Sequence, residues 1–190
     1  MGCTNSITVL KSSLSIGQTV QPHLTVTSVQ KHELSEDEKR IILSTWHIMT
    51  KDLSENGLQV FLRIFETCPE TKVLFHVENA RLSELARNQV IKGHGTRFMN
   101  AIGAAVSCLN ETSGQPDKLR EVLYILGQQH KNYSGFKPEY FEVFYKALIW
   151  RWEFCIKEKF TPEVMDVWSR VFIYMMEGLK EGYFSKEIPK

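Results

Sequence analysis

The sequence lacks any run of about 18 apolar residues, so no segment is long enough and apolar enough to cross a bilayer as a helix. None of its cysteines forms a CxxC pair, which excludes a zinc ribbon and argues against a disulfide scaffold. Charge of one sign is not in excess: 23 basic and 22 acidic residues give a net charge of +1, so nothing favours a nucleic-acid partner. Because polar residues interrupt the N-terminal stretch, it has no secretory signal, and we expect a protein that faces the cytosol.

Strand patterns are missing as well. Every segment with periodic apolar residues repeats at about 3.6 residues, and no alternating segment is accompanied by hairpin signals. With 190 residues, 43% of them hydrophobic, the chain is long enough for one domain with a sizeable core. The sequence therefore predicts an all-α domain of about eight helices over residues 34–184. Residues 1–6 and 7–33 precede this domain, and a tail, residues 185–190, follows it.

Helix boundaries are predicted from caps, prolines and glycines. Ser35 and Glu38 have the spacing of a capping box, which begins the first helix. Thr161 before Pro162 is a strong N-terminal signal for the last helix. The other predicted helices run from Asn56-Gly57 to Cys68, from Leu82 to Leu109, from Pro116 or Asp117 to Tyr133, and from Pro138 past Trp152, and Gly178 and Gly182 close the last one.

The first six residues, MGCTNS, match the pattern for N-myristoylation, in which Gly2 is acylated after removal of the methionine. One myristoyl chain binds a membrane only marginally, with a constant on the order of 10⁴ M⁻¹, so stable anchoring needs a second signal. No polybasic run follows, but Cys3 offers a palmitoylation site. Residues 7–33 have no helical period and predict a flexible tether. We expect a lipid-anchored protein on the cytoplasmic face of the plasma membrane.

Two histidines lie at helical spacing with apolar residues. His130 follows Leu126 by four positions, and His94 precedes Phe98 by four positions. An unsatisfied buried ring nitrogen costs about 1–3 kcal/mol, so each imidazole needs a partner. A backbone carbonyl could satisfy each ring separately, whereas a haem iron between the two rings could satisfy both. The spacing alone leaves both alternatives open.

The order of the motifs resembles the globin family over roughly residues 34–184. The first helix carries Trp46, and the second ends at the segment CPET before Phe75, like the proline corner and haem-stacking phenylalanine of globins. Segment 92–95, KGHG, resembles the distal-histidine segment, and segment 126–130, LGQQH, resembles the proximal one. The Met-Gly-Cys start and the N-terminal extension resemble globin X, a membrane-associated group related to neuroglobin.

The resemblance implies a haem b cofactor with His130 as the proximal iron ligand and His94 as the distal one. It implies that Phe75 packs on the porphyrin and that Phe61 and Phe98 crowd the distal side. The other pocket residues that it implies are Arg97 and Gln129 near the propionates, Leu126 beside the proximal histidine, and Phe136, Phe141 and Phe144 on the deep side.

Three functional classes follow from the resemblance. The first is reversible binding of oxygen and other small ligands (NO, CO) for storage, supply or sensing, with five-coordinate haem. The second is redox or signalling chemistry, such as nitrite reduction, nitric oxide dioxygenation or electron transfer, with six-coordinate haem and a separate reductase. The third is a haem-free, membrane-anchored helical module. The bulk of Phe61 and Phe98 favours six-coordinate haem, and hence the second class.

Two cysteines are candidate redox thiols. Cys68 precedes a proline at a predicted helix end, and Cys155 lies late on the helix after Pro138. A regulatory disulfide involving them could shift helix positions and the release of the distal histidine. Free thiols are the alternative interpretation.

Overall fold

The computed structural model describes residues 34–110 and 116–186, and within them it contains seven α-helices, three short 3-10 helices and no strand, which confirms the all-α class. The predicted acylation sites and tether lie outside the described residues. No described helix is both long and apolar enough to span a bilayer. The helices are α1 (Glu36–Met49), α2 (Leu53–Thr67), α3 (Leu82–Leu85), α4 (Gln89–Asn110), α5 (Pro116–Lys131), α6 (Tyr140–Ile156) and α7 (Pro162–Phe184), with 3-10 helices Thr50–Asp52, Pro69–Phe75 and Lys157–Lys159.

The first helix begins at the predicted capping box. Ser35 Oγ accepts from the Glu38 N–H at 3.3 Å, and Glu38 Oε2 accepts from the Ser35 N–H at 2.7 Å. The Arg170 guanidinium on α7 also donates to the Glu38 carboxylate. These hydrogen bonds lower the pKa of Glu38 to about 2, and the bond from Arg170 has the largest effect. One carboxylate therefore both caps α1 and fixes its start against α7.

The second helix ends before Pro69 as predicted, but its predicted start at Asn56 is wrong. Asp52 is the N-cap, and its Oδ1 accepts from the Glu55 N–H at 3.0 Å, so α2 begins at Leu53. Asn56 is inside the helix and 5% exposed. The asparagine, which often begins helices, here serves a buried hydrogen-bond network instead.

The long helix predicted from Leu82 to Leu109 is also wrong, because the segment forms two helices. After the short α3, the chain turns, and α4 begins at Gln89. The Asn88 side chain accepts from the N–H groups of Val90 at 2.9 Å and Ile91 at 3.2 Å, so it caps α4. Leu85 and Ile91 are both buried, which is why the apolar pattern continues across the break.

Two boundaries near the C-terminus differ from the prediction. Pro138 lies in a turn rather than at the first helical position, and α6 begins at Tyr140. Gly178 and Gly182 lie inside α7, which continues to Phe184, so they do not close the helix. Thr161 caps α7 as predicted, since its Oγ1 accepts from the Val164 N–H at 3.3 Å.

Three tryptophans form the centre of the core where α1, α6 and α7 meet. The ring centroids of Trp46 and Trp152 are 6.2 Å apart, and those of Trp152 and Trp168 are 5.1 Å apart. Trp152 and Trp168 are fully buried, and Phe172 packs against both of them. These three residues, Trp46, Trp152 and Trp168, are called the indole cluster below.

Candidate functional site

The site is built around His130, in the last turn of α5. Its Nδ1 is 2.7 Å from the Leu126 carbonyl oxygen. A carbonyl only accepts, so Nδ1 carries the proton and Nε2 of the neutral ring keeps a free lone pair. Burial lowers the pKa of His130, and the hydrogen bond to Leu126 opposes this only partly. The ring is therefore neutral at physiological pH, with Nε2 available as a ligand.

Aromatic rings surround His130 on the side of α6. Phe136 and Phe141 lie with their ring centroids 5.0 Å and 5.8 Å from the imidazole, and Tyr133 lies at 6.0 Å. Tyr183 on α7 donates from its hydroxyl to the Phe136 carbonyl at 3.2 Å, which holds the loop after α5 in place. The imidazole is therefore held by a carbonyl and packed by apolar rings.

The end of α7 also fixes the turn that carries this histidine. Lys131 Nζ donates to the Ser185 carbonyl at 3.0 Å, and Gln128 Nε2 donates to Ser185 Oγ at 3.0 Å. Ser185 Oγ donates in turn to the Gly182 carbonyl at 2.7 Å. Residues on both sides of His130 are thus bonded to one residue at the C-terminal end of the fold.

His94, on α4, is the second imidazole of the site. Its ring contacts Phe61 and Phe75 edge-on, with centroid distances of 4.9 Å and 5.2 Å. The pKa of His94 is lowered to about 4, mainly by burial and then by the nearby charges of Arg97 and His130. Since burial also lowers the pKa of His130, both rings are neutral at pH 7.

The Arg97 side chain is exposed to solvent, but it also contacts His94. One guanidinium nitrogen lies 3.4 Å from His94 Nδ1. A guanidinium only donates, so in this arrangement Nδ1 accepts and the proton of the neutral ring lies on Nε2. His94 can therefore donate a hydrogen bond into the pocket from Nε2. To act as a ligand through Nε2, it must first lose this contact and move its proton to Nδ1.

Phenylalanines join the two sides of the pocket. Phe144 on α6 contacts Phe61 at 5.8 Å and Phe98 at 4.2 Å, so α2, α4 and α6 share one aromatic wall. All six phenylalanines proposed from the sequence are thus part of this wall or pack against His130. Leu126 provides the carbonyl for His130, whereas Gln129 is exposed to solvent.

Two glycine contacts position the helices that carry the histidines. Gly95, next to His94, packs against Gly57 on α2 so closely that a Cβ on Gly95 would lie 2.5 Å from the Gly57 carbonyl carbon. Gly127, three residues before His130, packs against α7, where a Cβ would lie 2.0 Å from the Leu179 oxygen. A Cβ on Gly93, by contrast, would meet only the Arg97 side chain, at an ordinary contact distance of 3.8 Å. Of the two glycines flanking His94, only Gly95 allows another backbone to approach.

The candidate redox thiols are free and lie apart. Cys155 Sγ donates to Asn56 Oδ1 at 3.3 Å, near the start of α2, whereas Cys68 is the C-cap of the same helix, roughly 18 Å further along its axis. A disulfide needs Cα atoms within about 7 Å, so these two do not pair in this arrangement. Burial raises the pKa of both thiols, that of Cys68 to about 11, and this keeps them protonated at neutral pH.

Sequence reasoning missed the polar network around Asn56. Asn56 Nδ2 donates to the Met49 carbonyl at 2.8 Å, and Oδ1 accepts from Arg151 Nε at 3.0 Å as well as from Cys155. Arg151 is 8% exposed. No sequence signal marks this pairing, because its members are about 95 positions apart. Among the described residues no group of three His, Cys, Asp or Glu could hold a further metal ion.

Comparisons with known proteins agree with this arrangement. The model of the family described as Globin matches residues 58–179. A relative named anaerobic nitrite reductase, from Physcomitrium patens, is 24% identical over 77% of this chain and 80% of its own length. Cytoglobin-2 of Oryzias latipes is 29% identical over 73% of this chain and 76% of its own length.

A solved structure has the same fold. It is a crystal structure of a hexacoordinated heme protein from an anhydrobiotic tardigrade, with a TM-score of 0.73 and 21% identity, covering 80% of this chain and 96% of that chain. At this identity the likeness concerns the fold alone. The family model, in contrast, matches well over half of the sequence, including both histidines. The protein is therefore a member of the globin family.

Proposed function

We propose that this globin holds haem b between His130, as the fixed proximal ligand, and His94, as a displaceable distal ligand, and that it serves redox or signalling chemistry. A haem cofactor and small gaseous ligands follow from membership of the family. The identity of the ligands, the haem type and the role are our proposal. The observation that carries it is the 2.7 Å contact between His130 Nδ1 and the Leu126 carbonyl, because this contact requires the proton on Nδ1 and leaves Nε2 free to bind iron.

The residues of the pocket fit this cofactor. Two neutral imidazoles share a pocket walled by phenylalanines, so a flat apolar macrocycle would meet rings rather than charges. The Leu126 carbonyl holds the ring of His130 in one orientation and makes it a stronger base. When bound, haem supplies reversible binding of oxygen, nitric oxide and carbon monoxide, and one-electron redox chemistry with nitrite.

His94 has two roles open to it, and Arg97 influences the choice. With Arg97 on Nδ1, the His94 ring presents an N–H to the pocket and serves as a hydrogen-bond donor. With Arg97 released and the proton on Nδ1, Nε2 would be free to bind the iron, and an external molecule would have to displace it. Apparent affinity for that molecule then falls by the fraction of open form. The crowding of His94 by Phe61 and Phe75 favours the ligand role, because little room remains beside the ring.

The test is the visible spectrum of the reduced, oxygen-free protein. We expect a low-spin, six-coordinate spectrum in the native chain and a high-spin, five-coordinate one after His94→Leu. Arg97→Leu should keep the six-coordinate spectrum and slow the binding of carbon monoxide, because its loss frees Nδ1 for the proton. A five-coordinate spectrum in the native protein would instead support the oxygen-storage alternative.

The native protein and His94→Leu also test the proposed role in redox chemistry. Nitrite is an anion, and Arg97 places a positive charge at the distal side of the pocket. We expect the reduced protein to convert nitrite to nitric oxide under anaerobic conditions, and His94→Leu to do so faster because its sixth position is open. No nitric oxide release from either protein would leave gas binding as the only activity. A separate protein must supply the electrons.

We also propose that acylation at Gly2 and Cys3 holds the protein on the cytoplasmic face of the plasma membrane. The support is the MGCTNS motif, in which the cysteine supplies the second anchor that one myristoyl chain requires. In cells, we expect Gly2→Ala to release the protein from the membrane fraction and Cys3→Ser to release most of it. Equal membrane content in Gly2→Ala and the native protein would contradict the proposal.

A further inference from the structure

The indole cluster forms a continuous aromatic path from the core to the surface. Trp46 stacks on Trp152 with an angle of 21° between the ring planes, and it also lies 6.2 Å from Trp168. Trp152 and Trp168 meet edge-on at 5.1 Å. Trp46 is partly exposed, whereas the other two rings are fully buried. Electrons can therefore pass between rings in contact, with a solvent-accessible ring at one end.

The other end of the path reaches the histidine pocket through α6. Phe144 contacts Phe61 and Phe98 in the pocket wall, and Leu148 and Trp152 follow it at intervals of four residues on the same face. Trp152 thus lies roughly 12 Å along the helix axis from Phe144. Leu148 and Trp152 are both fully buried. The pocket and the cluster are therefore connected by one dry, apolar helix face.

The hydrogen bonding of Trp152 suits reversible oxidation. Its Nε1 is buried and has no hydrogen-bond partner among the described residues, whereas Trp168 Nε1 donates to Thr45 Oγ1 at 2.8 Å. An indole can lose an electron before it loses its proton, whereas a phenol needs a base to take its proton. With no acceptor at Nε1, an oxidised Trp152 keeps its proton, so return of one electron restores the ring.

We propose that Trp46, Trp152 and Trp168 form an electron relay that carries oxidising equivalents away from the pocket when hydrogen peroxide reacts there. The inference rests on the proposed haem site. Cleavage of the O–O bond of one peroxide to give two waters takes two electrons and two protons. The pocket's cofactor gives one electron, the cluster gives the other and becomes an indole radical cation, and solvent gives the protons. An ascorbate-type reductant then gives two electrons, one at a time. One electron reduces the cofactor, and the other enters at Trp46 and reduces the indole radical cation.

The test uses the full-length, haem-loaded chain, mixed with hydrogen peroxide and frozen for electron paramagnetic resonance. We expect an indole radical in the native protein and loss of most of that signal in Trp46→Phe and Trp152→Phe. Mass spectrometry of the thawed samples should find oxygen added mainly at Trp46. Because Trp152 is fully buried, Trp46→Phe is the primary variant, and circular dichroism checks that each variant is folded.

Trp150→Phe is the matched control. Trp150 lies on the same helix but outside the cluster, stacked on Phe154 and under the Arg63 guanidinium. It should leave the radical and the pattern of oxidation unchanged. A radical on tyrosine or on Trp150, or no difference between Trp46→Phe and the native protein, would overturn the relay. An absorption spectrum taken before peroxide separates the two failures: absence of bound haem defeats the proposed function, whereas bound haem without an indole radical defeats only the relay.

Discussion

His130→Gly should lose more than about 100-fold in haem affinity, because changes to residues that only support a metal ligand already cost about 10–100-fold. The native ring is prepared for this bond, because the Leu126 carbonyl fixes both its orientation and its proton. Removal of the side chain takes away the axial bond and leaves a cavity among Phe136 and Phe141. The measurement is Soret absorbance per protein during transfer of haem to an acceptor apoprotein.

Imidazole in solution provides the sharpest control. It should enter the cavity left by His130→Gly and restore most of the absorbance, because the surrounding rings and the Leu126 carbonyl are unchanged. His47→Gly makes the same substitution at an exposed position on α1 and carries a similar helix penalty of about 1 kcal/mol. It should retain haem fully. Native-like retention in His130→Gly would refute the assignment of the proximal ligand.

Gly95→Ala should strongly destabilise the fold on the His94 side of the pocket. Its Cβ would lie 2.5 Å from the Gly57 carbonyl carbon and 2.8 Å from the Leu58 nitrogen, and backbone atoms cannot rotate away. Separation of α2 from α4 should cost about 3 kcal/mol or more. For a domain of this size, that lowers Tm by roughly 6–12 °C, measured by circular dichroism on the full-length chain.

Gly93→Ala is the matched variant, because it adds the same methyl group on the other side of His94. The nearest atom to its Cβ would be Arg97 Nη1 at 3.8 Å, an ordinary contact. Alanine is a better helix former than glycine by about 1 kcal/mol, so Gly93→Ala should raise Tm. The two variants should therefore move Tm in opposite directions. Equal shifts would mean that the Gly57–Gly95 contact does not limit the approach of the helices.

The sequence was sufficient for those features that depend on local chemistry. The capping box at Ser35, the stop at Pro69 and the cap at Thr161 each follow from one or two side chains near a helix end, and the structure confirms all three. The helical period also put His94 and His130 on apolar faces, and both rings are half-buried among phenylalanines. Their roles as iron ligands stay a prediction.

Features that depend on contacts between distant segments could not be predicted. The break at Asn88 is invisible to an apolar pattern, since Leu85 and Ile91 continue it on both sides. Gly178 and Gly182 suggested a helix end, yet both lie inside α7, where α5 approaches too closely for any side chain. The contact of Arg97 with His94 Nδ1 is local in sequence, but its effect on the ring proton depends on rotamers that spacing does not specify.

The bonds made by Ser185 have a practical consequence for anyone who handles this protein. Lys131 and Gln128 are both bonded to that residue, so the last described turn of the chain is part of the support of His130. A truncation before Ser185, or an affinity tag fused directly after Phe184, would loosen the cofactor while leaving every pocket residue in place. Since an N-terminal tag would also block the proposed acylation of Gly2, we expect fusions after Lys190, with a spacer, to interfere least.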